Sequence, residues 1–434
     1  MNTETQVAEY SAKSTTTAVE FNPFAEPEIV RLAPATDPQA EIWMACLLGG
    51  EDANRAYNES LSLKFTGPLN RVAMRQALQE VVNRHESLRS VFSADGKYIC
   101  VFGSLEFDLL YEDISARYIE EKKSLINDFI KQDSHYIFDL IRGPLMKATL
   151  IKIADEQYHF IITAHHIICD GWSLGILLQD IGKLYSAYAQ DLPPALPVPV
   201  EFSGYADEQA IFNKSEEYTR TEEFWINQYK EEVPVVELPT DFPRPALRTY
   251  KSARLDFPLD NELVLGVRKM GLRAGCSFVT TLMTCFEVLL HRLTGQDTIV
   301  VGLPTAGQSA TGNNYLIGHC VNLLPLKSRI NTADKFSDFL RQRKAYIFDA
   351  YDHQRLTFGS LIKKINISRD PSRIPLVPIV FNIDMGIANG VEFHNLAYQV
   401  DSNPRAYETF ELFLNATGSE NALTIEWSYN TDLF

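Results

Sequence analysis

The stretch from Ile162 to Gly175, which reads I-T-A-H-H-I-I-C-D-G-W-S-L-G, holds the residues of this sequence best suited to chemistry. Two adjacent histidines, His165 and His166, precede an Asp-Gly pair, and a Gly-x-Ser-x-Gly pattern overlaps the end of the stretch. An imidazole can act as a general base near neutral pH, and a serine can act as a nucleophile when a base activates it. Either the histidines or Ser173 could therefore carry a reaction.

Ser173 lies in G-W-S-L-G, which fits the nucleophile elbow of serine hydrolases, as do the predicted strand before it and helix after it. An elbow requires the strand to run straight into the turn, whereas His166 to Asp170 intervene here. The same serine could instead cap the N-terminus of the following helix. A serine hydrolase or thioesterase that uses Ser173 stays as an alternative.

The two histidines follow an extended segment, in which neighbouring side chains point to opposite faces. They therefore form a poor pair of metal ligands, and we predict no metal site. One imidazole can face a cavity while the other packs inward. Asp170 can pair with an arginine, and Gly171 can adopt a positive φ that lets the chain reverse. A lone histidine here would be interpreted as a core residue, but H-H-x-x-x-D-G as a whole favours a functional site.

Hydrophobic periodicity places this site between a strand and a helix. Tyr158 to Ala164 is a β-rich apolar run, and apolar residues recur at helical spacing after Ser173. Similar patterns predict helices from Asp37 to the Gly49-Gly50 pair, from Arg71 to Leu88 and from Ser277 to Leu293 before Gly295, and strands over Leu61 to Phe65 and from Thr298. Strands and helices alternate in both halves, which predicts an α/β (α+β) fold.

The length of 434 residues exceeds what a single core usually supports, so we expect two lobes. The first residues are polar and aperiodic, and we interpret 1–27 as a disordered tail or linker. Four prolines within seven positions, between Pro193 and Pro199, cannot continue a helix and form a semi-stiff connector. The expected organisation is an N-terminal lobe over 28–190, a connector over 191–200 and a C-terminal lobe over 201–434.

Charge and composition exclude several classes of partner. The net charge of −16 argues against nucleic acid or an anionic membrane as the main partner. The sequence contains neither an N-terminal signal peptide nor a run of about 18 apolar residues, so we expect a cytoplasmic protein without a membrane span. The six cysteines include no C-x-x-C pair and are predicted to be free thiols.

The stretch H-H-I-I-C-D-G-W-S resembles the H-H-x-x-x-D-G core of the condensation domains of nonribosomal peptide synthetases, in the chloramphenicol acetyltransferase-like superfamily. Further motifs resemble those of the family and follow in its order. D-P-Q-A-E-I-W-M resembles A-Q-x-R-L-W-M, with Glu41 where arginine is usual, and I-G-H-C-V-N-L resembles I-G-x-F-V-N-T, with Cys320 and Leu323 replacing Phe and Thr. Two stretches with fewer departures are N-R-H-E-S-L-R-S-V-F from Asn83 and S-R-D-P-S-R-I-P-L from Ser368.

This resemblance implies two chloramphenicol-acetyltransferase-like lobes in a V-shaped arrangement, with a tunnel between them. It also implies amide bond formation in nonribosomal peptide biosynthesis, between a donor acyl or aminoacyl thioester on one carrier protein and the amine of an acceptor amino acid on another. Both substrates would arrive on 4'-phosphopantetheine arms, so no cofactor bound by this chain is expected. The implied partners are an upstream donor carrier protein, a downstream acceptor carrier protein and adjacent synthetase or polyketide domains. The chain itself is expected to be a monomer.

By the same resemblance His166 faces the tunnel, as a general base or as a hydrogen-bonding group, and His165 supports the loop. Asp170 is expected to organise the loop by pairing with Arg84 or Arg89, and Gly171 to have a backbone role. Asn322 is expected to fix the contact between the lobes or to line the tunnel. The motif that starts at Ser368 adds two supporting residues, Arg369 and Arg373.

Within the family, heterocyclisation is not expected, because heterocyclisation domains carry aspartates in place of the two histidines. An epimerisation domain and a non-catalytic docking module stay as alternatives. The segment H-C-V-N-L-L-P-L, with Ala306-Gly307-Gln308 before it, resembles condensation domains that follow polyketide modules. It therefore suggests a donor that is an acyl or polyketide chain.

Overall fold

The computed structural model describes residues 28–368, 370–419 and 422–434. In these residues strands and helices alternate, with strands β1–β14 at Ile29–Pro34, Asn58–Thr66, Ser90–Phe92, Tyr98–Phe102, Leu109–Asp113, Met146–Ala154, Gln157–His165, Ser252–Pro258, Thr298–Ala306, Val321–Arg329, Ile379–Met385, Ala397–Ser402, Leu412–Ser419 and Ala422–Asn430. Helices α1–α11 span Asp37–Arg55, Arg71–Arg84, Ile119–Ser134, Gly171–Tyr188, Phe202–Phe212, Glu216–Tyr229, Asn261–Ala274, Phe278–Thr294, Gly307–Thr311, Phe336–Asp352 and Phe358–Ile362. The predicted mixed α/β class is confirmed.

Most of the predicted elements occur, with ends that local chemistry explains. Helix α8 begins after Ser277, whose side chain accepts a hydrogen bond from the backbone N–H of Thr280, and ends at Gly295 in the left-handed conformation. Helix α1 begins at Asp37 behind a capping box formed by Thr36 and Gln39. The prediction that it ends at the glycine pair is wrong. The helix bends at Gly50, where φ is 66° and ψ is −150°, and continues to Arg55.

The strands of the described residues form three sheets. A five-stranded sheet has the order β12-β2-β7-β6-β5, a six-stranded sheet has the order β10-β9-β11-β13-β14-β8, and a small sheet joins β1, β4 and β3. Strand β7 is central in the five-stranded sheet, with antiparallel partners β2 and β6 on its two sides. Because both edges of β7 are hydrogen-bonded, its C-terminal residue His165 leaves the sheet at a fixed position.

Two hydrophobic cores lie against these sheets. The first is formed mainly by residues before 190 and the second by residues after 220. The division is not a clean one, because β12 adds an edge strand to the first sheet by pairing with β2. Several side chains from the C-terminal half also belong to the first core: Phe202, Tyr205, Ala206, Leu316, Ile317, Cys320, Val391, Phe393 and Leu396. A chain boundary at 191–200 therefore does not separate the two cores, and the predicted tail over 1–27 lies outside the described residues.

No single helix of the described segments is long and apolar enough to span a bilayer. The helices Asn261–Ala274 and Phe278–Thr294 reach that length and composition only as a pair bent by 104°.

Candidate active site

The loop from His166 to Asp170 connects the central strand β7 to helix α4. The backbone N–H of His165 donates to the carbonyl of Leu145, and that of His166 donates to the carbonyl of Tyr57 at 2.8 Å. Gln39, from the beginning of α1, donates its side-chain amide to the carbonyl of Ile167 at 3.0 Å. The loop is thus held from both sides before the helix begins.

His165 is fully buried beneath the loop. Its Nδ1 accepts a hydrogen bond from the backbone N–H of Ile167 at 3.2 Å, and its ring contacts Tyr57 and Phe138. Burial, with a smaller contribution from the neighbouring His166, lowers the pKa of His165 to about 3. A neutral, enclosed imidazole of this kind can shape the loop, but it cannot reach a substrate.

His166 lies on the opposite face, as the extended backbone requires, and 20% of its side chain is exposed. Its Nε2 is 3.3 Å from Oε1 of Glu59, which belongs to the neighbouring strand β2. Its Nδ1 is 3.2 Å from Nδ1 of His319, and the two rings are nearly perpendicular with centroids 4.8 Å apart. His166 is therefore the histidine of the pair that is open to substrate.

Asp170 is fully buried and organises the loop through groups other than an arginine. Its Oδ1 accepts hydrogen bonds from the backbone N–H of Ser173 at 2.8 Å and from the Ser173 hydroxyl at 2.7 Å. Its Oδ2 accepts from the backbone N–H of Cys320 at 2.9 Å, and the side-chain amide of Gln308 lies 3.1 and 3.0 Å from the two oxygens. Asp170 thus joins the loop to the C-terminal half of the chain.

The predicted pairing of Asp170 with an arginine is wrong. Among the described residues no arginine lies within ion-pair distance of its carboxylate, because Gln308 and backbone amides occupy the positions around it. Arg84 instead donates to the carbonyl of Pro197 at 2.6 Å and lies 3.7 Å from a different carboxylate, that of Asp180. Arg89 donates to the carbonyls of Asn83 and Phe102. Both arginines tie down backbone segments at some distance from the loop.

Two local predictions for this loop are also corrected. Asp170, not Ser173, is the N-cap of α4, and the helix begins at Gly171. Gly171 does not adopt a positive φ, because the reversal of the chain is completed before it. A Cβ added there would meet Oδ1 of Asp384 at 3.6 Å, an ordinary van der Waals contact, so neither backbone strain nor a clash requires glycine at this position.

Ser173 cannot act as the nucleophile of a hydrolase in this arrangement. Its side chain is fully buried. The hydroxyl lies 2.7 Å from Asp170 Oδ1 and 2.9 Å from the carbonyl of Gly318, and it accepts a hydrogen bond from the Gly318 N–H at 3.0 Å. The serine links the first turn of α4 to the segment before β10.

A cavity of about 1520 Å³ opens beside His166. Both halves of the chain contribute to its wall, with Tyr57, Glu59 and Gly171 from the first and His319, Asn322 and Arg405 from the second. Cavities that hold one drug-sized ligand measure about 300–1,000 Å³. The space next to His166 is therefore large enough for two reactants to meet.

Charged groups line the cavity around His166. Glu59 forms an ion pair with Arg405, which also lies 3.4 Å from Glu408. Burial by itself would raise the pKa of Glu59, but the positive charge of Arg405 and the adjacent His166 outweigh it and lower that pKa. The pKa of Asp384 is raised, by burial and by the nearby negative charge of Glu59. Glu59 is thus an anion next to the partly exposed imidazole of His166.

The remaining predicted residues occupy two separate places. Asn322 lines the cavity, where its amide donates to the carbonyls of Gln354 and Leu356 at 2.7 and 2.6 Å and fixes the segment that follows α10. Arg373 is not at the cavity wall, because it forms paired hydrogen bonds with Glu237 at 2.9 and 3.0 Å. Arg369 lies outside the described residues.

Four residues of this site were missed by the sequence analysis. Glu59 sits in a strand whose pairing with β7 is invisible locally, and Arg405 lies 346 residues beyond its partner. Gln308 and His319 stand inside segments that resemble motifs of the family, and this resemblance is the sequence signal that points to them. A polar side chain inside an otherwise apolar motif is the feature that distinguishes Gln308 and His319.

Among the described residues no group of three or more His, Cys, Asp or Glu side chains is arranged to hold a metal ion. The side chains at the cavity wall offer an imidazole, a carboxylate, a guanidinium and amide groups. Together they can bind an amine, accept a proton from it and stabilise the resulting positive charge.

Comparison with known sequences gives a consistent picture. The chain is 31% identical over 417 residues to one subunit of the linear gramicidin synthase of Brevibacillus parabrevis, a match that covers 93% of this chain and 8% of that protein. It is also 31% identical over 405 residues to surfactin synthase subunit 1 of Bacillus subtilis, covering 92% of this chain and 11% of that protein. The chain therefore corresponds to a small part of each of these relatives.

Solved structures with the same fold include the first condensation domain of the calcium-dependent antibiotic synthetase, with a TM-score of 0.81 at 17% identity over 94% of this chain and 92% of that one. A four-domain nonribosomal peptide synthetase bound to AMP and glycine matches with a TM-score of 0.82 at 22% identity, over 94% of this chain and 32% of that one. The family model of the condensation domain matches residues 30–434. The chain therefore belongs to the condensation-domain family.

Proposed function

We propose that this chain forms an amide bond between an acyl or aminoacyl thioester on a donor carrier protein and the amine of an amino acid on an acceptor carrier protein. The observation that carries the proposal is the position of His166, whose partly exposed side chain lies at the wall of a cavity of about 1520 Å³ lined by both halves of the chain. The V-shaped arrangement of two lobes with a tunnel, expected from the sequence, belongs to this proposal.

The reaction needs no covalent intermediate on the protein, because a thioester is already activated. The amine nitrogen attacks the thioester carbonyl to give a tetrahedral intermediate. The C–N bond is then retained, the C–S bond breaks, and the sulfur of the donor arm leaves as a thiolate that takes up a proton. Holding the two reactants in line in one cavity can lower the barrier by about 7–11 kcal/mol.

His166 is the group that manages the proton in this scheme. Its imidazole accepts the proton lost by the attacking amine and returns it to the leaving sulfur. Glu59 Oε1, 3.3 Å from Nε2, stabilises the imidazolium that forms between these two steps. Arg405 keeps Glu59 ionised and in place by the ion pair described above. Proton transfer by a positioned imidazole contributes about 10²–10⁴-fold to a rate.

The identity of the substrates and partners belongs to the same proposal. Phosphopantetheine arms would reach the cavity from separate carrier proteins, and neighbouring synthetase or polyketide domains would supply them. The motif around Gln308 and His319 supports an acyl or polyketide donor, since it resembles that of condensation domains placed after polyketide modules. A monomer in the cytoplasm is the expected state.

A reconstituted reaction tests this function. The protein is incubated with a donor carrier charged with a short acyl thioester and an acceptor carrier charged with an amino acid, and all proteins are weighed by intact mass spectrometry. We expect the acyl mass to move to the acceptor with the wild type and with Ser173→Ala at a temperature where that variant is folded. We expect the rate of transfer with His166→Ala to fall by about 10²-fold or more.

The other functions give different results in the same experiment. Loss of the acyl group to water that depends on Ser173 would show a hydrolase. A deuterium exchange at the α-carbon of a carrier-bound aminoacyl group, without transfer, would show an epimerisation domain. Carrier binding without either reaction, over a panel of acyl and aminoacyl donors, would show a docking module. Each of these three results contradicts the amide-forming role.

A further inference from the structure

Asp384 is a carboxyl group at the cavity wall that has no part in the proton transfer described above. It lies on β11 and lines the same cavity as His166. A Cβ added to Gly171, the first residue of helix α4, would be 3.6 Å from Oδ1 of Asp384. Oδ1 therefore faces the beginning of α4, next to the loop that carries His166.

The side chain of Asp384 is held in its orientation by a row of amides on the sheet. Asn382, on the same face of β11, donates to Oδ2 of Asp384 at 3.0 Å. The same amide donates to Oδ1 of Asn415 on β13 at 3.0 Å, and Asn415 in turn donates to Glu426 at 3.1 Å. From the part of the chain that the structure describes, no hydrogen bond of normal geometry reaches Oδ1 of Asp384. One carboxylate oxygen is thus anchored and the other is open to the cavity.

Asp384 also has no cationic side chain within ion-pair distance in the described residues. The guanidinium of Arg405 interacts with Asp384 only at longer range, because its close partners are Glu59 and Glu408. Burial and the negative charge of Glu59 raise the pKa of Asp384. A cation beside Oδ1 would lower that pKa again, so binding of a cation and ionisation of Asp384 favour each other.

We propose that Oδ1 of Asp384 binds the amine of the acceptor amino acid, as an ammonium on entry and as the attacking amine during the reaction. An ammonium supplies both the positive charge and the N–H donors that this oxygen lacks. A hydroxyl in the same place supplies a donor but no charge, so Asp384 selects amines over alcohols. This role rests on the amide-forming reaction proposed above and states how that site recognises its acceptor.

Each of the three hydrogens of the bound ammonium has a destination in this arrangement. One is released to solvent, which leaves a neutral amine whose lone pair can attack the thioester carbonyl. A second is accepted by His166 as the C–N bond forms, and it passes to the leaving sulfur as the C–S bond breaks. The third stays on the amide nitrogen. An N–H held by Asp384 directs the lone pair of the amine away from the carboxylate.

A binding measurement without turnover tests the contact with the amine. The acceptor carrier is loaded through a stable amide-linked phosphopantetheine arm with a glycyl group, or with the glycolyl group that has a hydroxyl in place of the amine. Calorimetry without a donor gives Kd for each form, and the contacts of the carrier protein cancel in their ratio. We expect the wild type to bind the glycyl form at least about tenfold more tightly, and Asp384→Asn to bind both forms within about twofold.

Asparagine at position 384 keeps an oxygen for the amide of Asn382 and places a donor where Oδ1 was, so the fold is expected to persist. Asp108→Asn, at an exposed aspartate outside the cavity wall, is the matched control and should keep the wild-type ratio. A wild-type ratio near one, or an unchanged ratio in folded Asp384→Asn, would overturn the inference.

Steady-state kinetics separate this inference from the amide-forming function. We expect Asp384→Asn to raise KM for the aminoacyl acceptor carrier at least about tenfold and to leave KM for the donor carrier unchanged. Equal rises in both KM values would indicate a structural role and would overturn the inference. Amide formation by a wild type that shows no preference for the amine removes the inference alone. A wild type that prefers the amine but forms no amide with any donor removes the proposed function instead.

Discussion

At the scale of single residues, Asp170 determines more of the site than its distance from the substrate suggests. Its carboxylate accepts hydrogen bonds from Ser173, Gln308 and the backbone of Cys320, and all of these groups are shielded from water. Removing a buried acceptor leaves its donors unsatisfied, and each such donor costs about 1–3 kcal/mol. Asp170 therefore holds the loop of the site in position without contacting the substrate itself.

We therefore expect Asp170→Ala to lower the free energy of unfolding by about 3–5 kcal/mol, with Asp170→Asn lowering it less because one acceptor oxygen remains. Chemical denaturation followed by circular dichroism measures this difference. Asp155→Ala, at a side chain that is 99% exposed, is the control and should change stability by less than about 0.5 kcal/mol. A loss below about 1 kcal/mol for Asp170→Ala would contradict the anchoring role.

At the scale of elements, helix α1 touches the C-terminal half through Glu41. Its Oε1 accepts a hydrogen bond from the backbone N–H of Gly359 at 3.1 Å, at the second residue of α11. Burial, and to a smaller extent the charge of Asp37, raises the pKa of Glu41 to about 7. A carboxyl whose pKa is higher in the folded protein than its unfolded value of 4.5 favours the folded state at low pH, and this contribution is lost as the pH rises toward 7.

The substitution Glu41→Gln removes this dependence. The wild type and the variant should differ least below pH 4.5, and the variant should gain stability relative to the wild type as the pH rises to about 7, by at most about 3 kcal/mol. Urea denaturation at pH values from 4.5 to 8 gives the difference. Glu51→Gln, an exposed glutamate of the same helix, is the control. A stability difference that is independent of pH would contradict this account of Glu41.

The elements themselves were largely predictable from the sequence because their ends depend on neighbouring residues. Ser277 and Gly295 bound α8, and the apolar run before His165 gives β7, by local rules alone. The errors arise where a distant group competes. Ser173 was expected to cap α4, but its hydroxyl is bound by Asp170 and by Gly318, which lies 145 residues away.

At the scale of the whole molecule, the two halves share structure as well as the cavity. Strand β12, from the C-terminal half, forms the edge of the sheet that carries His165, and its continuation donates from the Asn403 N–H to the Ser60 carbonyl. No local pattern could predict this pairing, since β12 and its partner strand β2 lie more than 300 residues apart. Local patterns are equally unable to predict the contacts of Gln308 and His319 with the loop from His166 to Asp170, since these residues lie 138 and 153 residues from their partners.

Shared structure predicts that the two cores unfold together. Trp43 reports on the first core and the fully buried Trp225 on the second. Two proteins that each retain one of these tryptophans, with the other tryptophans replaced by Phe, should show coincident denaturation midpoints in fluorescence, as expected for a single cooperative unit. If the Trp225 transition came first, at a midpoint that differs beyond error from that of Trp43, the second core would unfold while the first stays folded. That result would contradict the dependence of the first sheet on the C-terminal half.

The central claim is that His166 handles the proton while two tethered substrates react beside it. The most direct measurement is the rate of amide formation in a single turnover, by rapid quench with saturating charged carriers, for the wild type and His166→Ala. We predict a fall of about 10²-fold or more, with the affinities for both carriers unchanged, because the imidazole acts after the carriers have bound. A single-turnover rate in His166→Ala within about twofold of the wild type would contradict the account.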